Sequence, residues 1–252
     1  MTRTRTLVAI LIVLVGAAAV GLASIARSGL HQDRGSTTHP GTIKGLDVQI
    51  DVGQVDVVAG PGTDAKVDLA RHYLQGAPTV TETVVDGIVR VVATGCPGRV
   101  VLGCAVDVRV ALPAATPVQV RTGGGAVSVD GMANGIDVAT SGGAVRLSRT
   151  TGPVKVATSG GAVTGVDLAP TFLDATTSAG RVALSLAKPP ARVDVHTGGG
   201  GIDLALPVTD GGYRVTTTTK SGKVGVSVAQ DLTSGRAVTA TTGAGGIRIH
   251  PR

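Results

Sequence analysis

A pattern of the form Thr-x-x-Gly-x-(Val/Ile) recurs seven times and limits what this chain can fold into more than any other feature. The threonines are Thr122, Thr140, Thr158, Thr177, Thr197, Thr219 and Thr242. The glycines are Gly125, Gly143, Gly161, Gly180, Gly200, Gly222 and Gly245. The aliphatic residue two places on is Val127, Val145, Val163, Val182, Ile202, Val224 or Ile247. Counted from each glycine, positions −7, −5, +2 and +4 are apolar in 26 of 28 cases, with Thr217 and Gly165 the exceptions. Positions −6, −4, +1 and +3 are polar, small or charged. This is period-2 alternation on both sides of a glycine turn, as two short strands require. A 3.6-residue period would scatter the same residues around a helix axis.

The distance between successive +2 aliphatics grows from 18 to 23 residues. The strand–turn–strand unit keeps its length, so every added residue falls in the connection between units. Insertions confined to one side are expected of a coil that stacks its turns. The first increase follows Gly165, where the +4 aliphatic is missing and alternation resumes one residue late, through Val166-Asp167-Leu168. A glycine bulge accounts for both. One such unit cannot bury its apolar face alone, but stacked neighbours can. Each buried Val or Leu then contributes roughly 1.5–3 kcal/mol before entropy is subtracted. The threonine at −3 lies beside the turn, where its hydroxyl can bond the turn backbone or the adjacent unit. The terminal Ile249-His250-Pro251-Arg252 reads as a blunted last edge.

Upstream, Leu46, Val48 and Ile50 alternate with polar residues, and Val55 and Val57 follow Gly53. Further strands are expected over 65–70, 79–85, 88–93 and 106–112. Several are bounded by turn dipeptides such as Asp86-Gly87. Their spacing is less regular, so 44–117 is expected to form an irregular N-terminal β cap on solenoid repeats over 118–252. The cysteines Cys96 and Cys104 bracket a short segment. Two thiols with no nearby histidine are too few for a structural zinc, and a hairpin disulfide is the expectation. Such a bond fits an oxidising compartment.

Residues 7–26 carry no charge and follow Arg3 and Arg5. They are long enough to cross a bilayer, which predicts a transmembrane signal-anchor after a short cytoplasmic stretch, 1–6. The alternative is a leader cleaved after Ser24-Ile25-Ala26, leaving a secreted protein. Residues 27–43 are polar and contain Gly and Pro, and read as a flexible linker. The formal charge is +6, but no Lys/Arg run occurs, and the aromatics are only Phe172, Tyr73 and Tyr213. With so little to stack bases on, nucleic acid is not an expected partner.

The Thr-x-x-Gly-x-Val units, Ile50-Asp51-Val52-Gly53-Gln54-Val55 and Asp86-Gly87-Ile88-Val89-Arg90-Val91 together resemble a bacterial family. It is the putative-adhesin β-strand-repeat domain of unknown function, related to head-GIN domains. The resemblance spans roughly 44–250. The family often shows Thr-Gly-Ser-Gly-Asp-Val; here Ala126, Ala144, Ala162, Arg181, Gly201, Lys223 and Gly246 stand in place of the Asp. The resemblance implies a membrane-tethered, extracytoplasmic β-solenoid and brings no catalytic residues with it.

Candidate chemistry is sparse. Gly198-Gly199-Gly200-Gly201-Ile202-Asp203 fits the start of a calcium-binding nonapeptide, but those sites need a nine-residue tandem period. Lys220-Ser221-Gly222-Lys223 lacks the leading Gly and the Ser/Thr of a phosphate loop. Asp174 and Asp194 are expected one unit apart with His196 on the same face and Arg181 across the turn. Stacked carboxylates near a His could bind a metal or transfer protons; a solvated, charge-compensated face is the plainer reading. The lengthening connections carry Phe172, Arg192, Tyr213 and Arg214, and rare aromatics beside Arg suit a recognition patch.

The expectation is therefore an all-β, single-stranded β-solenoid of about seven regular rungs with an irregular cap and one N-terminal membrane helix. It is expected to be non-enzymatic, with no cofactor, metal or catalytic residue assigned. Its expected role is a putative adhesin or cell-envelope scaffold, anchored in the membrane and facing another envelope protein or a cell-wall polymer. An accessory or sensor in envelope stress is the alternative, and a carbohydrate-active β-helix enzyme the less favoured one.

Overall fold

The computed structural model describes residues 29–74, 76–95 and 103–252. The expected signal-anchor at 7–26 and Cys96 lie outside the described residues. Among the described residues no helix is long and apolar enough to cross a membrane, and every named element is a strand. The N-terminal part contributes β1 (His31–His39), β2 (Gly45–Ile50), β3 (Val55–Gly60), β4 (Ala65–Tyr73), β5 (Thr79–Val85), β6 (Ile88–Thr94) and β7 (Ala105–Pro113). The seven repeats contribute two strands each. They are β8 (Val118–Thr122) with β9 (Val127–Asp130), β10 (Ile136–Thr140) with β11 (Val145–Ser148), and β12 (Val154–Thr158) with β13 (Val163–Leu168). There follow β14 (Phe172–Thr177) with β15 (Val182–Leu186), β16 (Arg192–Thr197) with β17 (Ile202–Leu206), β18 (Arg214–Ser221) with β19 (Val224–Val226), and β20 (Ala237–Ala244) with β21 (Ile247–Pro251).

These strands form two mixed sheets, neither closed on itself. One runs β1-β4-β7-β3-β9-β11-β13-β15-β17-β21-β19 and the other β18-β20-β16-β14-β12-β10-β8-β2-β6-β5. The first strand of each repeat enters one sheet and the second enters the other. Pairing within the repeats is parallel and in register, so Val118, Ile136 and Val154 lie side by side, as do Val127, Val145 and Val163. Because side chains alternate, one face of each sheet gathers the apolar positions. The core is the layer between these faces, and it holds Val120, Val138, Val156, Val129, Leu147 and their counterparts in one cluster.

The threonine and glycine of the motif lock successive repeats together. The Thr158 hydroxyl donates to the Gly143 carbonyl at 3.1 Å and accepts from the Gly161 amide at 3.1 Å. Thr140, Thr177 and Thr197 make the same pair of bonds in their own repeats. Each of these hydroxyls satisfies its own turn and ties it to the one beneath. Thr122, with Ile50 on one side and Thr140 on the other, is buried and its hydroxyl has no hydrogen-bond partner. The irregularity after Gly165 is present as a register shift between Gly165 and Leu168, with Asp167 at φ 56°. Leu168 turns inward there and fills the space above Gly165 that a +4 aliphatic occupies elsewhere.

Three expectations need correction. First, the stretch expected to be a flexible linker, 27–43, carries β1. It pairs antiparallel with β4 over its whole length, from His31–Tyr73 to His39–Ala65. Its polar composition gave no strand signal because it buries almost nothing; backbone bonds to an edge strand hold it. Second, 44–117 is not wholly a separate cap. β2 and β3 flank Gly53 as a repeat does and pair directly with β8 and β9. β6 and β7 lie outside them, and only β1, β4 and β5 add antiparallel pairs. Third, the C-terminal strand is not an edge. β20 and β21 insert between the fifth repeat and the sixth, leaving β18 and β19 outermost. The outermost repeat is the one with Thr217 at an inward position, and its Val224 is 45% exposed. A polar inward residue costs little where only one side of the strand is covered.

Candidate binding surface

In-register stacking turns each outward position of the ten-stranded sheet into a row that crosses the strands. The row at the start of the strands contains Ile88, Gly45, Pro117, Gly135, Pro153, Phe172 and Arg192. Two residues on, the next outward row reads Arg90, Asp47, Gln119, Asp137, Lys155, Asp174 and Asp194. Between them lies an open groove of about 800 Å³ lined by both rows. It crosses seven neighbouring strands, β6, β2, β8, β10, β12, β14 and β16, which at strand spacing is about 30 Å. Small Gly and Pro residues keep one wall low, so the groove is open along its length.

The acidic row is largely compensated. Arg90 Nε lies 3.0 Å from Asp47, which Gln49 also contacts at 3.2 Å. Arg121 is 4.0 Å from Asp137, and Arg192 pairs with Asp194. Asp174 and Asp194 are register partners, as expected, with His196 one row along. Arg181 lies across the Gly180 turn, as expected, but faces away from them. It belongs to the other sheet, where it pairs with Asp203 at 3.0 Å, because the strand preceding the glycine and the strand following it join different sheets. Among the described residues no group of three or more His, Cys, Asp or Glu is placed to hold a metal ion.

The four residues singled out on the connection side separate into two sets. Phe172 is 52% exposed and stands at the end of the groove, next to Arg192. Arg192 and Arg214 lie on either side of Ala237 and line an adjoining depression of about 410 Å³, again with Phe172. Tyr213 is not part of this surface. It is 1% exposed, and its hydroxyl donates to the Pro207 carbonyl at 2.8 Å. Burial pushes its phenol above the ordinary tyrosine range. The connection before it stays at the surface, with Val208 81% exposed, and only the Tyr213 ring turns in to join the core. Cys104 is disulfide-bonded.

Sequence reasoning missed the contribution of Asp47, Arg90 and Ile88. They lie far from the repeats in the chain and join the groove only because β2 and β6 extend the same sheet. Their period-2 placement was visible, but the stacking order that aligns them with Gln119 was not.

No protein-family model matches this chain, and no curated protein matches it. Among solved structures, the fold is similar to that of a putative adhesin from Bacteroides fragilis. The TM-score is 0.55 at 12% identity, over 87% of this chain and 97% of that one. A putative adhesin from Parabacteroides merdae aligns at TM-score 0.43 and 12% identity, covering 86% and 95%. A putative cell adhesion protein from Clostridium sporogenes aligns at TM-score 0.41 and 12% identity, covering 89% and 100%. The chain shares the fold of the Bacteroides structure.

Proposed function

We propose that this chain is a non-enzymatic β-solenoid of the cell envelope, anchored by its N-terminal apolar segment and working outside the membrane as an adhesin-like binding module. Parallel, in-register pairing of successive strand–Gly–strand units supports the solenoid reading. The disulfide at Cys104 supports an oxidising, extracytoplasmic setting. The name carried by the Bacteroides structure agrees with the adhesin reading.

The observation that carries the proposal is the groove on the ten-stranded sheet. It is long and open, with an exposed phenylalanine near one end and charges of both signs on its wall. Enclosed pockets that bury most of a small ligand look different. An extended polymer, a glycan or a peptide in an extended conformation, presents groups that recur along its length, and rows of side chains at a fixed spacing can meet them repeatedly. Three of the four acids of the row, Asp47, Asp137 and Asp194, are paired with Arg90, Arg121 and Arg192, and Asp174 accepts from Thr176, which suits them to hydrogen bonding along a ligand.

The test is binding of the full chain, in uncharged detergent micelles, to cell-wall polymer fractions. Retention by one fraction, weakened about tenfold by Phe172→Ala, is the expected result. Turnover of the polymer by the purified protein, lost on Asp174→Asn or Asp194→Asn, would overturn the non-enzymatic reading.

A further inference from the structure

The opposite sheet carries a different site near its C-terminal end. There β15, β17, β21 and β19 are consecutive, with Val182, Ile202, Ile247 and Val224 in register. The residues just before these four are Arg181, Gly201, Gly246 and Lys223, and those just after include Asp203, Arg248 and Gly225. They line a depression of about 650 Å³. In earlier repeats the position before the aliphatic is alanine, at Ala126, Ala144 and Ala162. Here two adjacent glycines leave the floor open, with Arg181 on one side and Lys223 on the other.

This juxtaposition depends on the exchanged order of the last two repeats. Stacked in chain order, Lys223 would separate Gly201 from Gly246. In the observed order the glycines adjoin, and a Cβ built on Gly201 would lie 3.5 Å from the Gly246 carbonyl oxygen. A Cβ on Gly225 would meet nothing within 4 Å. Of the three cations, only Arg181 is engaged: it pairs with Asp203, which His250 also contacts at 3.1 Å. Lys223 and Arg248 have no ion-pair partner among the described residues.

We propose that this depression binds an oxyanion, a phosphate or carboxylate group carried by the ligand. The guanidiniums of Arg181 and Arg248 offer forked donors that match such groups, and Lys223 adds a point charge. The bare glycine floor admits the anion close to the backbone, where a side chain would hold it off. The site faces away from the groove described above and stands independently of it.

Two probes separate the sources of the oxyanion: inorganic tripolyphosphate and trigalacturonate, each titrated into the full chain in uncharged micelles at low ionic strength. Saturable binding of either supports the site, and the tighter one identifies the chemistry. Lys223→Ala and Arg248→Ala should each weaken binding on the order of tenfold. Gly201→Val keeps every charge but fills the floor, and should weaken binding as much, with the melting temperature used to confirm folding. Arg146→Ala, a cation elsewhere on the same sheet, should leave binding unchanged. Failure of both probes to bind, or binding by Gly201→Val and Arg248→Ala equal to that of the unaltered chain, would overturn the proposal.

Discussion

Contact, more than backbone conformation, demands the motif glycines. Only Gly222 and Gly245 among the seven have a φ in the left-handed range. At Gly161 the constraint is the neighbouring repeat: a Cβ there would lie 1.8 Å from the Gly143 carbonyl oxygen. Gly160, one residue earlier, is exposed, and a Cβ on it would find its nearest atom at 4.0 Å. Gly161→Val should therefore force two repeats apart and cost about 3 kcal/mol or more, whereas Gly160→Ser should change stability by about 0.5 kcal/mol or less. Thermal melts of the two variants check this, and equal midpoints would refute it. The threonine beside the turn is fixed by its two bonds to neighbouring backbone. Thr158→Val keeps the shape but removes one donor and one acceptor, leaving the Gly161 amide and the Gly143 carbonyl without that partner. A loss of roughly 1–3 kcal/mol is expected in denaturant unfolding. Both positions were legible from the sequence, because a strict repeat exposes which residues cannot vary in role.

At the scale of elements, what was legible followed burial. Strands with an apolar inward row announced themselves, and the stretches expected at 79–85 and 88–93 match β5 and β6 closely. β1 did not, since its side chains are exposed along nearly the whole strand. Besides its ladder with β4, β1 is held by few side chains. His31 stacks on Tyr73 at 5.3 Å, the Tyr73 hydroxyl donates to Asp33 at 2.7 Å, and His39 reaches Glu82 of β5 in the other sheet. Asp68 of β4 adds a further tie: a hydrogen bond from Ser36 of β1, aided by Lys66 and Arg109, holds its carboxyl below the usual range. A carboxyl whose folded pKa is depressed contributes stability above its unfolded pKa and loses it as pH falls through the folded value. Docking of β1 should thus weaken as pH falls below about 4. Amide protection factors for residues 31–39 should drop in that window, and Ser36→Ala should move the Asp68 titration upward. A Ser36→Ala chain with an unmoved Asp68 titration would remove this link.

The whole molecule departs from chain order at both ends. β2 and β3 lie inside β6 and β7, and β20 and β21 lie inside β18 and β19. This could not be read from period or composition, since every repeat offers the same parity and an equivalent edge. What distinguishes the outermost repeat is a weakness: Thr217 among the inward residues, and half-exposed positions along β18. A repeat that needs cover on only one side tolerates these, while the well-filled Val238, Ala240, Ile247 and Ile249 take the interior place. The candidate sites inherit the arrangement. One exchange sets Asp47 rather than Arg90 beside Gln119 in the groove, and the glycine floor between Arg181 and Lys223 comes from the other. Hydrogen exchange checks the order directly. Amides of β20 and β21, paired on both sides, should be protected more strongly than those of β18 and β19, which precede them in the chain but have one partner each. Truncation after Val226 should then be severe, because it removes the repeat that joins the outermost one to the rest. Excision of 208–232, with the ends rejoined, should be milder, because it removes the edge repeat and the Tyr213 ring but leaves β20 and β21 paired with β16 and β17. The opposite ranking in melting temperature would mean that the repeats stack in chain order, and the oxyanion site would lose its floor with them.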